Sequence, residues 1–253
     1  MSEKVALILT GHMRCWKDVF PNIKERILDR WDTDVFISTW DTEGYWCPPE
    51  SDPEGHGINL DSPMISDFEV REYYGPIRYM VDSHTDMILE NDLNKFANKL
   101  QPHCIEIRAK NIVSQFYKIH QGYSMFFDHV MSTGAQYDHV IRMRPDLVLG
   151  GELPEIKMTP VNFFVHTNHQ GDGVGDMYLG TNQYFHSMFY AKLLNYKAFV
   201  QTTGRFCPHI ITKSIIMDVI NSENIHYMNE LKIPKTLMHT PSGQYSEAYR
   251  EEK

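Results

Sequence analysis

The first forty residues constrain the fold more than any other stretch. Val5-Ala6-Leu7-Ile8-Leu9 is a continuous apolar run too short for a helix, the pattern of a strand buried on both faces. Val19, Ile23, Ile27 and Trp31 then recur at every fourth position, which places them on one face of a helix. Asp34-Val35-Phe36-Ile37-Ser38-Thr39 reads as a second buried strand. Strand, helix and strand in so short a space make a βαβ unit, whose sheet is parallel and whose crossover is right-handed. The fold class that follows is α/β: a mostly parallel, Rossmann-like sheet flanked by helices.

Residues 41–66 break this order. They are rich in Gly, Pro, Asp and Glu without periodicity, and a loop of that length reads as a lid or binding loop. A strand is expected over 77–81 and a polar helix over 86–100. The strongest helical period follows: Ile112, Phe116, Ile119, Tyr123, Phe126 and Val130 step by three and four until Gly134. Further strands are expected over 138–143, 147–149, 162–165 and 177–179, helices over 184–202 and 208–221, and a short strand over 236–239. No internal repeat or linker interrupts the pattern, so residues 1–253 are expected to form a single domain.

Composition narrows the function classes. Lys and Arg number 24 against 33 Asp and Glu, a net charge of −9, which lacks the broad basic surface that sequence-independent nucleic-acid binding needs. A polyanion that binds here is small and held by a few local arginines. No apolar run reaches the eighteen or so residues of a membrane span, and the N-terminal run is too short for a signal peptide. The four cysteines include no Cys-x-x-Cys pair and read as scattered reduced thiols. A cytoplasmic location is the expectation.

In an open α/β sheet, ligands bind at the carboxyl ends of the strands. Those ends carry Thr10-Gly11-His12-Met13-Arg14, Trp40-Asp41-Thr42 and Arg144-Pro145-Asp146, with His166, His169, Asp172 and Asp176 after the strand at 162–165. The opposite strand ends read as bland. In an extended strand Arg142, Arg144 and Asp146 share a face, so all three are expected to address one ligand; a structural Arg–Asp pair is the plainer alternative. A guanidinium pairs bidentately with phosphate oxygens and neutralises charge without a metal. Gly11 permits close backbone approach and Arg14 can reach a phosphate. Asp41 is placed to accept from ribose hydroxyls, or to cap a turn. Gln115 and Lys118 lie one helical turn apart and either face the ligand or form a solvated helix face.

The segment Asp138-His139-Val140-Ile141-Arg142-Met143-Arg144-Pro145-Asp146 resembles the DxD region of GT-A fold glycosyltransferases, with Arg144 in the first acidic position and Asp146 in the second. A strand ending in Gly-His-x-Arg, the run Asp-Val-Phe-Ile-x-Thr-Trp-Asp, a Ser-Gln-x-x-Lys helix and this Arg-x-Arg-x-Asp strand come in the order of a glycosyltransferase-like group of surface-polysaccharide loci and large viruses. The resemblance spans about residues 5–180. It implies a GT-A-like fold, with a nucleotide-binding half over about 1–150, an acceptor half over about 151–240 and a polar tail over 241–253. It also implies sugar transfer from a nucleotide-diphosphate-sugar donor to a glycan or lipid-linked acceptor. Gly11, Arg14, Asp41, Lys118, Arg142, Arg144 and Asp146 would then bind the donor. Asp176 or Asp172 would act as catalytic base or acceptor contact beside a catalytic Arg144. Asp146, and more remotely His239, would hold Mn²⁺ or Mg²⁺, unless Arg144 makes the site metal-independent.

Two other classes stay open. A non-catalytic nucleotide-sugar or glycan-binding protein would keep the fold with a degenerate acidic pair. A metal-dependent hydrolase or nucleotidyltransferase would use His166, His169 and Asp172 as a zinc cluster, although that spacing suits a helix better than the strand and loop expected there. Tyr45, Trp46 and the prolines of the 41–66 loop offer an apolar lip for peripheral membrane contact.

Overall fold

A computed structural model describes residues 3–44, 62–83, 107–150, 163–169, 173–193, 207–228 and 231–232. The opening apolar run lies at the centre of a seven-stranded sheet. Its strands are β1 (Lys4–Thr10), β2 (Asp32–Trp40), β3 (Arg78–Asp82), β4 (His139–Met143), β6 (Phe163–His169), β7 (Gly173–Thr181) and β8 (Ile225–Met228). Their spatial order is β3-β2-β1-β4-β7-β6-β8, and β5 (Val148–Leu149) pairs apart with β9 (Leu231–Lys232). β3, β2, β1 and β4 run parallel, β7 runs antiparallel to both β4 and β6, and β8 is parallel to β6. The mostly parallel α/β sheet flanked by helices is thus present, with one reversed strand.

Burial on both faces explains why β1 does not alternate. Val5, Leu7 and Leu9 pack against α1 (Trp16–Ile23) and α2 (Asp67–Tyr74), while Ala6 and Ile8 pack under α3 (Ile107–Thr133), α4 (Gln183–Leu193) and α5 (Pro208–Met217). Val19, Ile23 and Ile27 are fully buried on the first face, as their spacing predicts. The expected single helix divides, however: Pro21 removes a backbone donor inside α1, and the chain continues as a wider π-helical turn over Lys24–Leu28. Ser66 caps α2 by accepting from the Glu69 N–H, and Gly75 closes it in the left-handed region. Gly134, at φ 72°, ends α3 in the same way.

α3 lies close on the sheet because Gly122 has no side chain. A Cβ there would sit 2.6 Å from Thr10 Cγ2 and 3.0 Å from Ile8 Cγ2. The helix thereby sits over the carboxyl ends of β1 and β2.

Three expectations need correction. β4 ends at Met143, and Pro145-Asp146 form a turn, so Arg142, Arg144 and Asp146 do not share one strand face. The proline and the buried charge that follow favour a turn over a continued strand. The glycine-rich segment before 177–179 is not all loop: β7 begins at Gly173 and takes in Asp176. The amino ends of the strands are not bland, since Lys4 pairs with Asp34 at 3.1 Å, Tyr137 donates to Asp34 at 2.6 Å and His139 is buried beside Glu3. Among the described residues no helix is long and apolar enough to cross a membrane. The expected helix at 86–100, the strand at 236–239 and the apolar lip of Tyr45 and Trp46 lie outside the described residues, as do Asp172 and His239.

Candidate functional site

The carboxyl ends of β1 and β4 bring Arg14, Arg144 and Asp146 together. Asp146 is 2% exposed. Arg144 donates to it in a fork, Nε to Oδ1 at 2.8 Å and Nη2 to Oδ2, and Arg14 Nη1 adds a third bond to Oδ2 at 3.1 Å. Burial pushes the Asp146 carboxyl up, but Arg144 and Arg14 outweigh it and hold the group below its ordinary value. Burial and the neighbouring Arg144 lower the Arg14 guanidinium, against the pull of Asp146.

The loop after β1 is shaped to deliver Arg14. Gly11 turns at φ 112°, its N–H donating to Ser38 O at 3.1 Å. Arg14 itself sits in the left-handed region at φ 47°, a conformation that costs a side-chain-bearing residue about 1–2 kcal/mol. Its N–H donates to Glu43 O at 2.8 Å and its Nε to Gly44 O at 3.3 Å, which tie the strained turn to the segment after β2. Gly44 is required there, because at φ 68° a Cβ would fall 2.0 Å from His12 Nδ1.

Arg142 occupies the other face of β4. It is 1% exposed, and its Nε donates to Thr10 Oγ1 at 2.7 Å beneath the Gly11 turn. Deeper on that face, His186 Nε2 meets the Val140 carbonyl at 2.8 Å, so that nitrogen carries the hydrogen and Nδ1 accepts from Tyr123 OH at 2.7 Å. Burial drives His186 down to about 3, which fixes it as a neutral support for α4.

A second cluster lies at the ends of β2 and β3. Lys118, on α3, is fully buried. Its Nζ donates to Asp82 Oδ2 at 2.6 Å and Gln121 Oε1 at 2.9 Å, and it lies 4.2 Å from the centre of the Trp40 ring. Gln121 Nε2 donates to the same Asp82 oxygen at 2.7 Å, while Ser38 Oγ donates to Gln121 Oε1 at 2.5 Å. Burial lowers the Lys118 ammonium to about 8 despite Asp82 and Asp41. Trp40 stacks on Tyr117, with ring centres 5.7 Å apart and planes 20° from parallel. Asp41 is half-buried beside this cluster, its N–H bonded to Asp82 O at 2.9 Å.

The structure thus gathers Gly11, Arg14, Arg144 and Asp146 at one end of the edge, and Asp41 and Lys118 at the other, with Arg142 behind the Gly11 turn. Gln115 is half-buried on α3. Asp176 lies on β7 where the register with β6 shifts: Val165 faces Leu179, and His166 faces Gly175. The interval falls beyond the end of β4, on the site's edge. His166 and His169 are strand residues of β6, and among the described residues no group of three His, Cys, Asp or Glu side chains assembles a metal site. Asp146 does not fit a divalent cation as it stands, since guanidinium N–H groups engage both its oxygens and a hard cation needs several such oxygens.

Sequence reasoning missed Asp82 and Gln121. Both had a signal: Asp82 ends an apolar strand as Asp41 does, and Gln121 follows Lys118 by three on one helix face.

The sequence matches no family model and no curated protein. Among solved structures, a nucleoside-diphosphate-sugar pyrophosphorylase from Vibrio cholerae RC9 aligns at TM-score 0.43 and 10% identity, over 90% of this chain and 93% of that one. The glycosyltransferase GlyE of Streptococcus pneumoniae TIGR4 aligns at TM-score 0.37 and 10% identity, over 90% of this chain. This chain spans 46% of the GlyE chain. Likenesses at this level carry no functional assignment.

Proposed function

We propose that this protein transfers a sugar from a nucleoside-diphosphate-sugar donor to a glycan or lipid-linked acceptor, at the carboxyl edge of β1, β2 and β4. The observation that carries this reading is the convergence of the Arg14 and Arg144 guanidiniums on one buried carboxylate, in a chain of net charge −9. Asp146 and Gly44 hold one edge of each guanidinium, and two planar cations oriented side by side suit phosphate oxygens. They meet the negative charge that develops as the diphosphate departs, and Arg142 adds positive potential from behind the Gly11 turn. Because these groups are held before the donor arrives, little reorganisation is needed at the moment of reaction.

In this proposal Arg144 does the work that a divalent cation does beside an acidic pair, and Asp146 orients the two arginines rather than ligating Mn²⁺ or Mg²⁺. Asp41 and the Gly11 turn hold the nucleoside, and Lys118 steadies that end of the edge. The segment with Asp172 and Asp176 supplies the acceptor contact or the base that takes the acceptor's proton. Residues of about 1–150 then serve the donor and those of about 151–240 the acceptor.

The test is turnover of UDP-, GDP-, dTDP- and CMP-sugars with the wild type and with Arg144→Ala, folding being checked by circular dichroism. Donor hydrolysis or transfer that Arg144→Ala abolishes is the expected result. Donor binding without turnover in the wild type would overturn the enzyme in favour of a binding protein.

A further inference from the structure

The network around Asp82 is built with more care than a surface ion pair requires. Lys118 is stripped of water entirely, an arrangement that costs free energy unless every donor is placed. Yet every side-chain bond the described residues make to Asp82, from Lys118 and from Gln121, falls on Oδ2. Ser38 fixes the Gln121 amide, and the Trp40 indole fixes the ammonium. The carboxylate is therefore held from one side in a set orientation, while its side chain is 30% exposed. Oδ1 is left on the side away from the clamp, at the carboxyl end of the edge strand β3.

The location gives that oxygen a use. With strands about 4.8 Å apart, β3 lies roughly 10 Å from β1 and 14 Å from β4. That separation matches a nucleoside diphosphate laid along the edge, with its phosphates at Arg14 and Arg144 and its ribose over the β2 and β3 ends. A carboxylate held in a set orientation is the acceptor that suits a pair of adjacent hydroxyls.

We infer that Asp82 is a specificity-determining residue that accepts from the ribose diol of a ribonucleoside diphosphate donor, with Lys118, Gln121 and Ser38 positioning its carboxylate. The inference rests on the donor reading above. It narrows that reading to ribonucleotide donors and excludes 2′-deoxy donors such as dTDP-sugars.

Calorimetric titration of the full chain with UDP, GDP and their 2′-deoxy counterparts tests it. A lost hydrogen bond to a charged group is expected to weaken the preferred nucleotide's 2′-deoxy form by about tenfold or more. In Asp82→Asn the ribonucleotide falls to the level of its deoxy form and the ratio approaches one. Since Asp82→Asn leaves a buried ammonium without its counter-charge, the double variant Asp82→Asn/Lys118→Met, which removes both charges, keeps the test valid if the single variant does not fold. A wild type that binds ribo and deoxy forms equally overturns the inference and leaves the donor reading standing, and so does a preference that survives both variants. Equal binding of both forms, with an Asp82-dependent preference for UDP-glucose over UDP, moves the contact to the transferred sugar and overturns the ribose assignment. Failure of every nucleotide to bind overturns the donor reading itself.

Discussion

Replacing Asp146 by Asn isolates the buried charge on which the Arg14–Arg144 arrangement depends. The amide keeps one acceptor oxygen and turns an NH₂ group toward a guanidinium, so at least one of three bonds is lost and a repulsive contact replaces it. Breaking a fully buried ion pair costs about 3–5 kcal/mol. Here the side chains of Arg144 and Arg14 are 22% and 24% exposed, and water can partly resolvate them. The expected loss for Asp146→Asn is therefore about 2–3 kcal/mol, below the fully buried range. The folded Asp146 carboxyl lies below its unfolded value, so its contribution is complete above a pH of about 4 and is lost as pH falls through the lowered folded value. Urea denaturation of both proteins at pH 7, 5, 4 and 3.5 reads this directly. The gap should hold from pH 7 to 5 and then narrow. A gap below about 0.5 kcal/mol at pH 7 would place Asp146 among ordinary surface pairs and refute the reasoning.

Three further outcomes follow from the same contacts. Lys118 has a folded value of about 8 against 10.5 unfolded, so the unfolded chain binds more protons between these pH values and stability rises with pH across them. Wild type should gain on Lys118→Met from pH 8 to 10 in urea melts; a gap that stays flat or shrinks contradicts the buried, clamped ammonium. Gly122→Ala should cost about 1–3 kcal/mol, seen as a Tm lower by several degrees, because the new methyl meets Thr10 and Ile8 at the helix–sheet contact. An unchanged Tm would mean α3 sits farther from β1. Arg144→Lys keeps the charge but loses the fork, and should raise the Kd for the preferred nucleoside diphosphate by about tenfold. Equal affinity would show that charge alone is read.

The fold was legible where local pattern and tertiary environment agree. The continuous apolar runs of β1 and β2 and the period through Ile112 to Val130 each say that one or both faces are buried, and they are. Legibility failed where the deciding contact lies far along the chain. Nothing local to Arg144-Pro145-Asp146 says that the strand stops, because its partner Arg14 comes 132 residues earlier. Asp176 reads as loop because glycines surround it, yet pairing with β6 extends β7 through them. The charges at the amino ends of β1, β2 and β4 escaped notice because their ligand-free edge offered no reason to pair Lys4 with Asp34 and Tyr137. The carboxyl-end rule singled out Gly11, Arg14, Asp41, Arg144 and Asp146, and the structure places them along that edge. The same rule applied to the third strand finds Asp82, and helical spacing from Lys118 finds Gln121.

The central claim, that guanidiniums rather than a divalent cation hold a diphosphate at this edge, is tested most directly by thermal-shift titration of the purified chain. UDP-, GDP-, dTDP- and CMP-sugars are each compared with Mn²⁺ and with EDTA, for the wild type and for Arg14→Ala and Arg144→Ala. A ligand at a hundred times its Kd stabilises the fold by about 2.7 kcal/mol, which appears as a rise of several degrees in Tm. The account predicts a rise with one ribonucleoside-diphosphate class, and none with CMP-sugars, that persists in EDTA and disappears in both arginine variants. A rise that requires Mn²⁺, or that survives in either arginine variant, would contradict it.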